Sequence, residues 1–270
     1  NQPEPLDGPI ISAMADIARR HAAYIVCPLD RQDGACRVNS AVLLDRAGAI
    51  AGVYDKVYPY WSEFALQPPV AIGETVPVFA TDFGRVGLAI CFDANFPEVW
   101  QALADDGAEL VVWPSAYSAG TTLQAHALTH HFAIVTSTQT ADCLVYDIDG
   151  SELAYEQSAD INVTRVTLDL DRGIYHENFN LAKRDRLLAE HGDDVEQERH
   201  LAREQWFILK AKRPGVSARA LAREYGLEEL QDYVNRSRRQ IDDMRRRQSV
   251  AMLPVGDRGG ATAPATQRGA

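Results

Sequence analysis

Between Val86 and Trp113 the sequence passes from one apolar strand through a short turn and a helix into a second apolar strand, an order few folds accommodate. Val86-Gly-Leu-Ala-Ile90 has strand length and ends at Cys91. Pro97 opens a helix over Glu98 to Asp105, Asp106-Gly107 stops it, and Ala108-Glu-Leu-Val-Val-Trp113 reads as a buried strand. The flanks repeat this alternation. Ile10 to His21 has helical spacing and feeds the β-rich Ala23 to Cys27, while Val38 to Leu44 and Ala49 to Tyr54 form a hairpin about Asp45-Arg-Ala-Gly48. Pro77 to Phe83 and Arg85 to Ile90 flank Gly84 as another hairpin. Thr121 to His131 reads as a helix, Phe132 to Thr138 as a strand, and Cys143 to Ile148 pairs with Glu152 to Tyr155 across Asp149-Gly150. Strands alternating with helices, mixed with hairpins, indicate α/β layering around a mixed sheet.

The 270 residues suffice for one large domain, and 46% hydrophobic with 24% charged residues is ordinary for a globular protein. Charges or prolines interrupt every apolar run below membrane-spanning length. The opening Asn1-Gln-Pro-Glu-Pro-Leu has neither the basic nor the apolar region of a signal peptide. The four cysteines, Cys27, Cys36, Cys91 and Cys143, are scattered and form no Cys-x-x-Cys pair, which suits a reducing, cytoplasmic compartment. The net charge of −11 is uneven: residues 1–198 carry −18 and residues 199–248 carry +6. From about Asp171 to Arg247 the pattern is charged and helical, and from Leu253 the Gly/Pro/Ala/Thr-rich tail reads as disordered.

Cys91 carries the first chemical signal. A thiol at a strand-to-helix turn sits at a sheet's rim, where the backbone N–H groups that follow can stabilise an oxyanion. A thiol becomes a nucleophile only beside a charge or base. Lys56, in Tyr54-Asp-Lys-Val-Tyr-Pro-Tyr-Trp-Ser-Glu63, also follows a strand and can reach a sheet edge.

Gly84-Arg-Val-Gly-Leu-Ala-Ile-Cys-Phe-Asp-Ala-Asn-Phe-Pro-Glu98 resembles the nucleophile motif of the nitrilase superfamily of carbon–nitrogen hydrolases. Leu103 to Ser115 continues that pattern, Val53-Tyr-Asp-Lys56 precedes it, and Asn39 to Gly48 matches the family's preceding hairpin. The resemblance runs from about Leu6 to Asp171. It implies a nitrilase-like αββα sandwich with mixed sheets, four-layered on dimerisation. The organisation expected is a hydrolase domain over 1–175, a basic helical C-terminal arm over 176–248 and a tail over 249–270. The reaction implied is cysteine-dependent hydrolysis of a non-peptide C–N bond through a thioester, releasing ammonia or an amine, with no cofactor or metal. A small amide or N-carbamoyl substrate is favoured over a nitrile, because Phe92-Asp93 follows Cys91 in place of the Trp-Glu of nitrilases.

Residue by residue, Cys91 resembles the family's nucleophile and Lys56 the lysine that stabilises the tetrahedral intermediate. The Phe92 backbone N–H resembles the second oxyanion donor. Glu63 resembles an additional glutamate that orients lysine and substrate. Tyr60 and Trp61, between Lys56 and Glu63, are expected to line the substrate pocket together with Ser115 and Ala116; Tyr58 belongs to the same aromatic segment. The family also uses a general-base glutamate on an early strand. Glu4 imitates its Pro-Glu dipeptide, but no apolar strand precedes it, so Glu4 reads as a solvated terminal charge. The expectation is an N-terminally truncated chain, inactive or nearly so, whose base lies upstream of Asn1.

Asp93 is expected to shape the nucleophile turn and Glu98 to be a helix N-terminal charge. His126, His130 and His131 share a helix without further metal ligands, and Cys27, Cys36 and Cys143 read as structural. His176-Glu-Asn-Phe-Asn180 is expected to redirect the chain. Val216 to Gly226 resembles the first half of a helix-turn-helix. The alternative function is therefore a non-catalytic scaffold or DNA-binding protein using the basic arm. The acidic body would repel phosphate, so packing of the arm on a neighbouring acidic body in a homo-oligomer is favoured over nucleic acid.

Overall fold

A computed structural model of the chain describes residues 2–140, 142–157 and 163–252. Helix α1 (Pro9–His21) starts on a proline suited to the first turn and buries Ile11, Ala15 and Ala18 on one side. It packs on an antiparallel sheet of β1 (Ile25–Asp33), β2 (Cys36–Leu44) and β3 (Ile50–Asp55), in that order. The second half of β2, Ala41 to Leu44, is apolar on both faces, and both are covered. Val42 and Leu44 meet α1 alongside Cys27 and Leu29, while Ala41 and Leu43 turn the opposite way with Tyr54.

That opposite face meets a second sheet, whose order is β4 (Val78–Ala80), β5 (Arg85–Leu88), β6 (Leu110–Ser115), β7 (Ala133–Thr138), β8 (Asp142–Tyr146) and β9 (Glu152–Gln157). β5, β6 and β7 run parallel, and the outer pairings are antiparallel. Val86, Leu88 and Ile90 fill the space between the sheets. At Gly52 the two come so close that a Cβ would lie 2.3 Å from the Phe79 ring. Helices α2 (Pro97–Asp105) and α3 (Gly120–His130) cover the far side, where Trp100, Leu103, Leu123 and Ala127 pack on Val111, Trp113 and Ile134. The αββα layering is thus complete within one chain; the expectation that four layers need dimerisation is corrected. All four cysteines are free, and no helix among the described residues is long and apolar enough to cross a membrane.

The C-terminal extension departs further from expectation. After β10 (Gly173–His176) and α4 (Leu181–His191) come two strands, β11 (Val195–Leu201) and β12 (Trp206–Ala211), then α5 (Ala218–Glu224) and α6 (Leu230–Arg247). A small antiparallel sheet of order β10-β12-β11 builds its own core from Tyr175, Leu187, Val195, Phe207, Leu209, Ala218 and Ala222. The arm is therefore α+β, not helical throughout. Its central strand Trp-Phe-Ile-Leu-Lys-Ala is obscured in the sequence by the charges of the edge strand before it. Asn180, fully buried, explains the chain reversal after β10: its Nδ2 donates to the carbonyls of His176 and Glu228 at 2.8 Å each, and its Oδ1 accepts from the Glu228 N–H.

Arginines of the extension meet carboxylates of the same chain's body. Arg219 binds Glu109 at 2.6 Å and Arg199 pairs with Asp149, while in the other direction Arg172 of the body binds Glu198 of the extension at 2.6 Å. Part of the charge asymmetry is thus satisfied internally and requires no neighbouring molecule. Helix α6 keeps Gln231 and Asn235 beside a cleft against the body, while Val234, Ile241 and Met244 are 39%, 50% and 55% exposed. Residues 253–270, most of the expected disordered tail, lie outside the described residues.

Candidate active site

β5 ends at Leu88, and after Ala89 and Ile90 the chain enters a short 3-10 helix, Cys91–Asn95, before α2. Cys91 has φ +49°, a left-handed conformation that a side chain adopts only under constraint. The constraint is local and explicit. Asp93, fully buried, accepts hydrogen bonds from the Ile90 N–H (2.9 Å), the Tyr54 hydroxyl (2.7 Å) and the Tyr58 N–H (3.1 Å). Burial pushes its carboxyl up to about 6 against the pull of those donors. Two indoles hold the same turn: Trp113 Nε1 donates to the Cys91 carbonyl (3.2 Å) and Trp100 Nε1 to the Asp93 carbonyl (3.1 Å).

Lys56 leaves the end of β3, its side chain 2% exposed. Its N–H donates to the Asn39 carbonyl and its carbonyl accepts from the Gly73 N–H, so the loop that leaves Lys56 returns to it at Gly73. The loop contains a second 3-10 turn, Trp61–Ala65, which delivers Glu63 back to Lys56. Lys56 Nζ lies 2.5 Å from Glu63 Oε2, which also accepts the Tyr60 N–H (2.6 Å), and Glu63 Oε1 accepts from Asn39 Nδ2 (2.8 Å). Burial alone would raise the Glu63 carboxyl, but the donors Lys56, Asn39 and Tyr60 hold it below its ordinary value. The carboxylate thereby fixes the buried Lys56 side chain in place.

Cys91, Lys56 and Glu63 share one cavity of about 390 Å³ with Tyr60, Ser115 and Ala116. Six of the residues named from sequence therefore come together. Trp61 does not join them: its side chain is 70% exposed and its ring lies 5.7 Å from that of Tyr60 at the rim. Tyr58 stacks on Phe96 and donates to Glu98 (2.6 Å), which packs it against α2. The Phe92 N–H finds no acceptor among the described residues. Glu4 is not a solvated charge, as expected from sequence. Its backbone pairs with Asp30 and Gln32 at the edge of the first sheet, and its Oε2 accepts the Ile10 N–H (3.1 Å) in the first turn of α1. His126 lies stacked on Trp100 and bonds the Ala94 carbonyl through Nε2 (2.9 Å).

Sequence reasoning missed Pro28, Asn39, Ser62, Ile90, Pro114, Ser137, Thr138 and Gln139, which complete the wall. Asn39 had a visible signal, a carboxamide inside an otherwise buried strand. Ser137 to Gln139 had none, since a strand end carries no mark of which cavity it borders.

A family model described as carbon–nitrogen hydrolase matches residues 1–173. Among curated proteins the chain is similar to a deaminated glutathione amidase of Yersinia enterocolitica, 28% identical over 155 residues, 49% of this chain and 53% of that one. It is also similar to a citrullinase of Francisella tularensis, 26% identical over 163 residues, 58% of this chain and 56% of that one. Among solved structures, a glutamate-to-glutamine mutant of an amidase from Nesterenkonia sp. AN1 matches with a TM-score of 0.50 at 25% identity, covering 54% of this chain and 64% of that one. Its description records Michael addition of acrylamide at the active-site cysteine. A carbon–nitrogen hydrolase from Helicobacter pylori G27 shares the fold, with a TM-score of 0.51 at 21% identity over 55% of this chain and 62% of that one. The chain spans about half the length of the two curated relatives.

Proposed function

This chain belongs to the carbon–nitrogen hydrolase family, and from that premise we propose that it supplies the thiol and the oxyanion-binding groups for hydrolysis of a small amide or N-carbamoyl compound. The observation that carries this reading is the shared cavity of Cys91 and the Glu63-paired Lys56. In this mechanism Cys91 Sγ attacks the carbonyl carbon, and the oxygen takes the negative charge between Lys56 Nζ and the Phe92 N–H. The C–N bond then breaks, the nitrogen leaves with the thiol's proton as ammonia or an amine, and water cleaves the thioester. Glu63 is committed to three donors and serves here to fix the ammonium.

The test is ammonia release from a panel of simple amides, N-carbamoyl amino acids and nitriles, with acrylamide labelling of Cys91 followed by mass spectrometry. Labelling at Cys91, and turnover of an amide or carbamoyl member that Cys91→Ala abolishes, support the reading. Turnover that survives Cys91→Ala, or a Cys91 inert to acrylamide, would defeat it.

Self-association belongs to the same reading. The outward stripe of Val234, Ile241 and Met244 on α6 is flanked by arginines, and a second copy's acidic body offers the complementary charge. Light scattering at low salt should report a mass above the monomer that falls toward it with Ile241→Asp. A monomer at every concentration and salt would exclude it.

A further inference from the structure

The Cys91–Phe92 peptide is the hinge of the proposed chemistry, because its N–H is the donor assigned to the oxyanion. A trans peptide points its C=O and N–H in opposite directions, so whatever holds the carbonyl also aims the N–H. The Cys91 carbonyl is held by the indole Nε1 of Trp113, 3.2 Å away and fully buried in β6. We propose that Trp113 is a positioning residue that presents the Phe92 N–H to the oxyanion by fixing the Cys91–Phe92 peptide from behind. This rests on the hydrolase reading above and adds to it a residue that touches neither substrate nor thiol.

Three observations support the assignment. Cys91 at φ +49° is in a conformation that would relax unless its neighbours over-determine it, and the indole bond is one such constraint. A buried indole N–H requires an acceptor, so this ring is tied to that carbonyl. The Phe92 N–H finds no acceptor among the described residues and stays available. Trp100 supplies an internal control, since it donates to the Asp93 carbonyl in the same turn but not to the peptide that carries the proposed donor.

The experiment separates aiming from folding by two reactions of Cys91. Alkylation by iodoacetamide needs the sulfur but develops no oxyanion. Reversible addition of butyraldehyde places its oxygen where the tetrahedral oxyanion would sit, and its affinity is read as protection against the alkylation. Trp113→Phe is expected to weaken butyraldehyde binding about tenfold or more, the scale of a compromised oxyanion donor, with the alkylation rate little changed. Trp100→Phe should leave the ratio of the two at its original value. In the unaltered protein, hydrogen exchange at the Phe92 amide should slow when butyraldehyde is bound; this needs no variant and holds if Trp113→Phe does not fold. Equal loss of both reactions in Trp113→Phe or unchanged aldehyde affinity would overturn the positioning role and leave the hydrolase reading intact, whereas no slowing at Phe92 would overturn the role together with the Phe92 donor and leave Cys91 as the nucleophile. An unaltered Cys91 that takes neither reagent would instead remove the hydrolase reading and this role with it.

Discussion

Glycine at position 91 is expected to silence the chemistry and, at the same time, to make the protein harder to unfold. Cys91 has φ +49°, and a side chain held in the left-handed region costs about 1–2 kcal/mol that glycine does not incur. Glycine gives back part of this through its freer unfolded chain, and the half-buried thiol gives up some packing, so a net gain of about 1 kcal/mol is expected. For a domain of this size that raises the melting temperature by roughly 2–4 °C. Turnover should fall by a factor on the order of 10⁴ or more, as when a covalent nucleophile is deleted. Alanine, which keeps the left-handed conformation without the thiol, should lose the activity without the gain. A melting temperature that falls as far in Cys91→Gly as in Cys91→Ala would show that the turn holds no strain at Cys91.

The second large effect is expected at Lys56. Lys56→Met keeps most of the side-chain volume but leaves Glu63 with Asn39 and Tyr60 as its donors in a site only 14% exposed. Breaking a buried pair from one side costs about 3–5 kcal/mol, mostly the penalty of the stranded charge. Activity should drop about 10²–10³-fold for the lost oxyanion partner. Removing both members in Lys56→Met/Glu63→Leu should recover most of the stability and none of the activity, because a buried ion pair replaced by apolar groups is often neutral. Urea unfolding with ammonia release on the same samples separates the two. A single variant as stable as the original, or a double variant that regains turnover, would sink the account of Lys56 as a fixed ammonium.

Much of the site was legible because its chemistry sits at strand ends. The apolar run before Cys91 and the hairpin before Lys56 fix both residues at one rim, and Asp93 follows from its place two residues after Cys91 in the turn. The aromatic segment was harder to read. Tyr58, Tyr60 and Trp61 alternate too tightly for their faces to be assigned without the 3-10 turn, so one stacks on Phe96, one lines the cavity and one remains at the surface. Glu4 misled because a charge in a Pro-rich run near the terminus gives no sign that its backbone joins a sheet edge and its carboxylate accepts from the next helix. The extension misled through its charge: β11 is an edge strand whose polar residues resemble those of a solvated helix, and the apolar β12 behind it is only six residues long.

The Asp93 carboxylate divides the site into parts that can vary independently. It ties Ile90, just before Cys91, to Tyr54 and Tyr58, which bracket Lys56. The spacing of Cys91 and Lys56 is thereby set by one buried side chain. The wall residues Ser137, Thr138 and Gln139 come from the end of β7, a strand that takes no part in that hub. In the proposed hydrolase, exchanging them would change the acyl group accepted without moving Cys91 relative to Lys56.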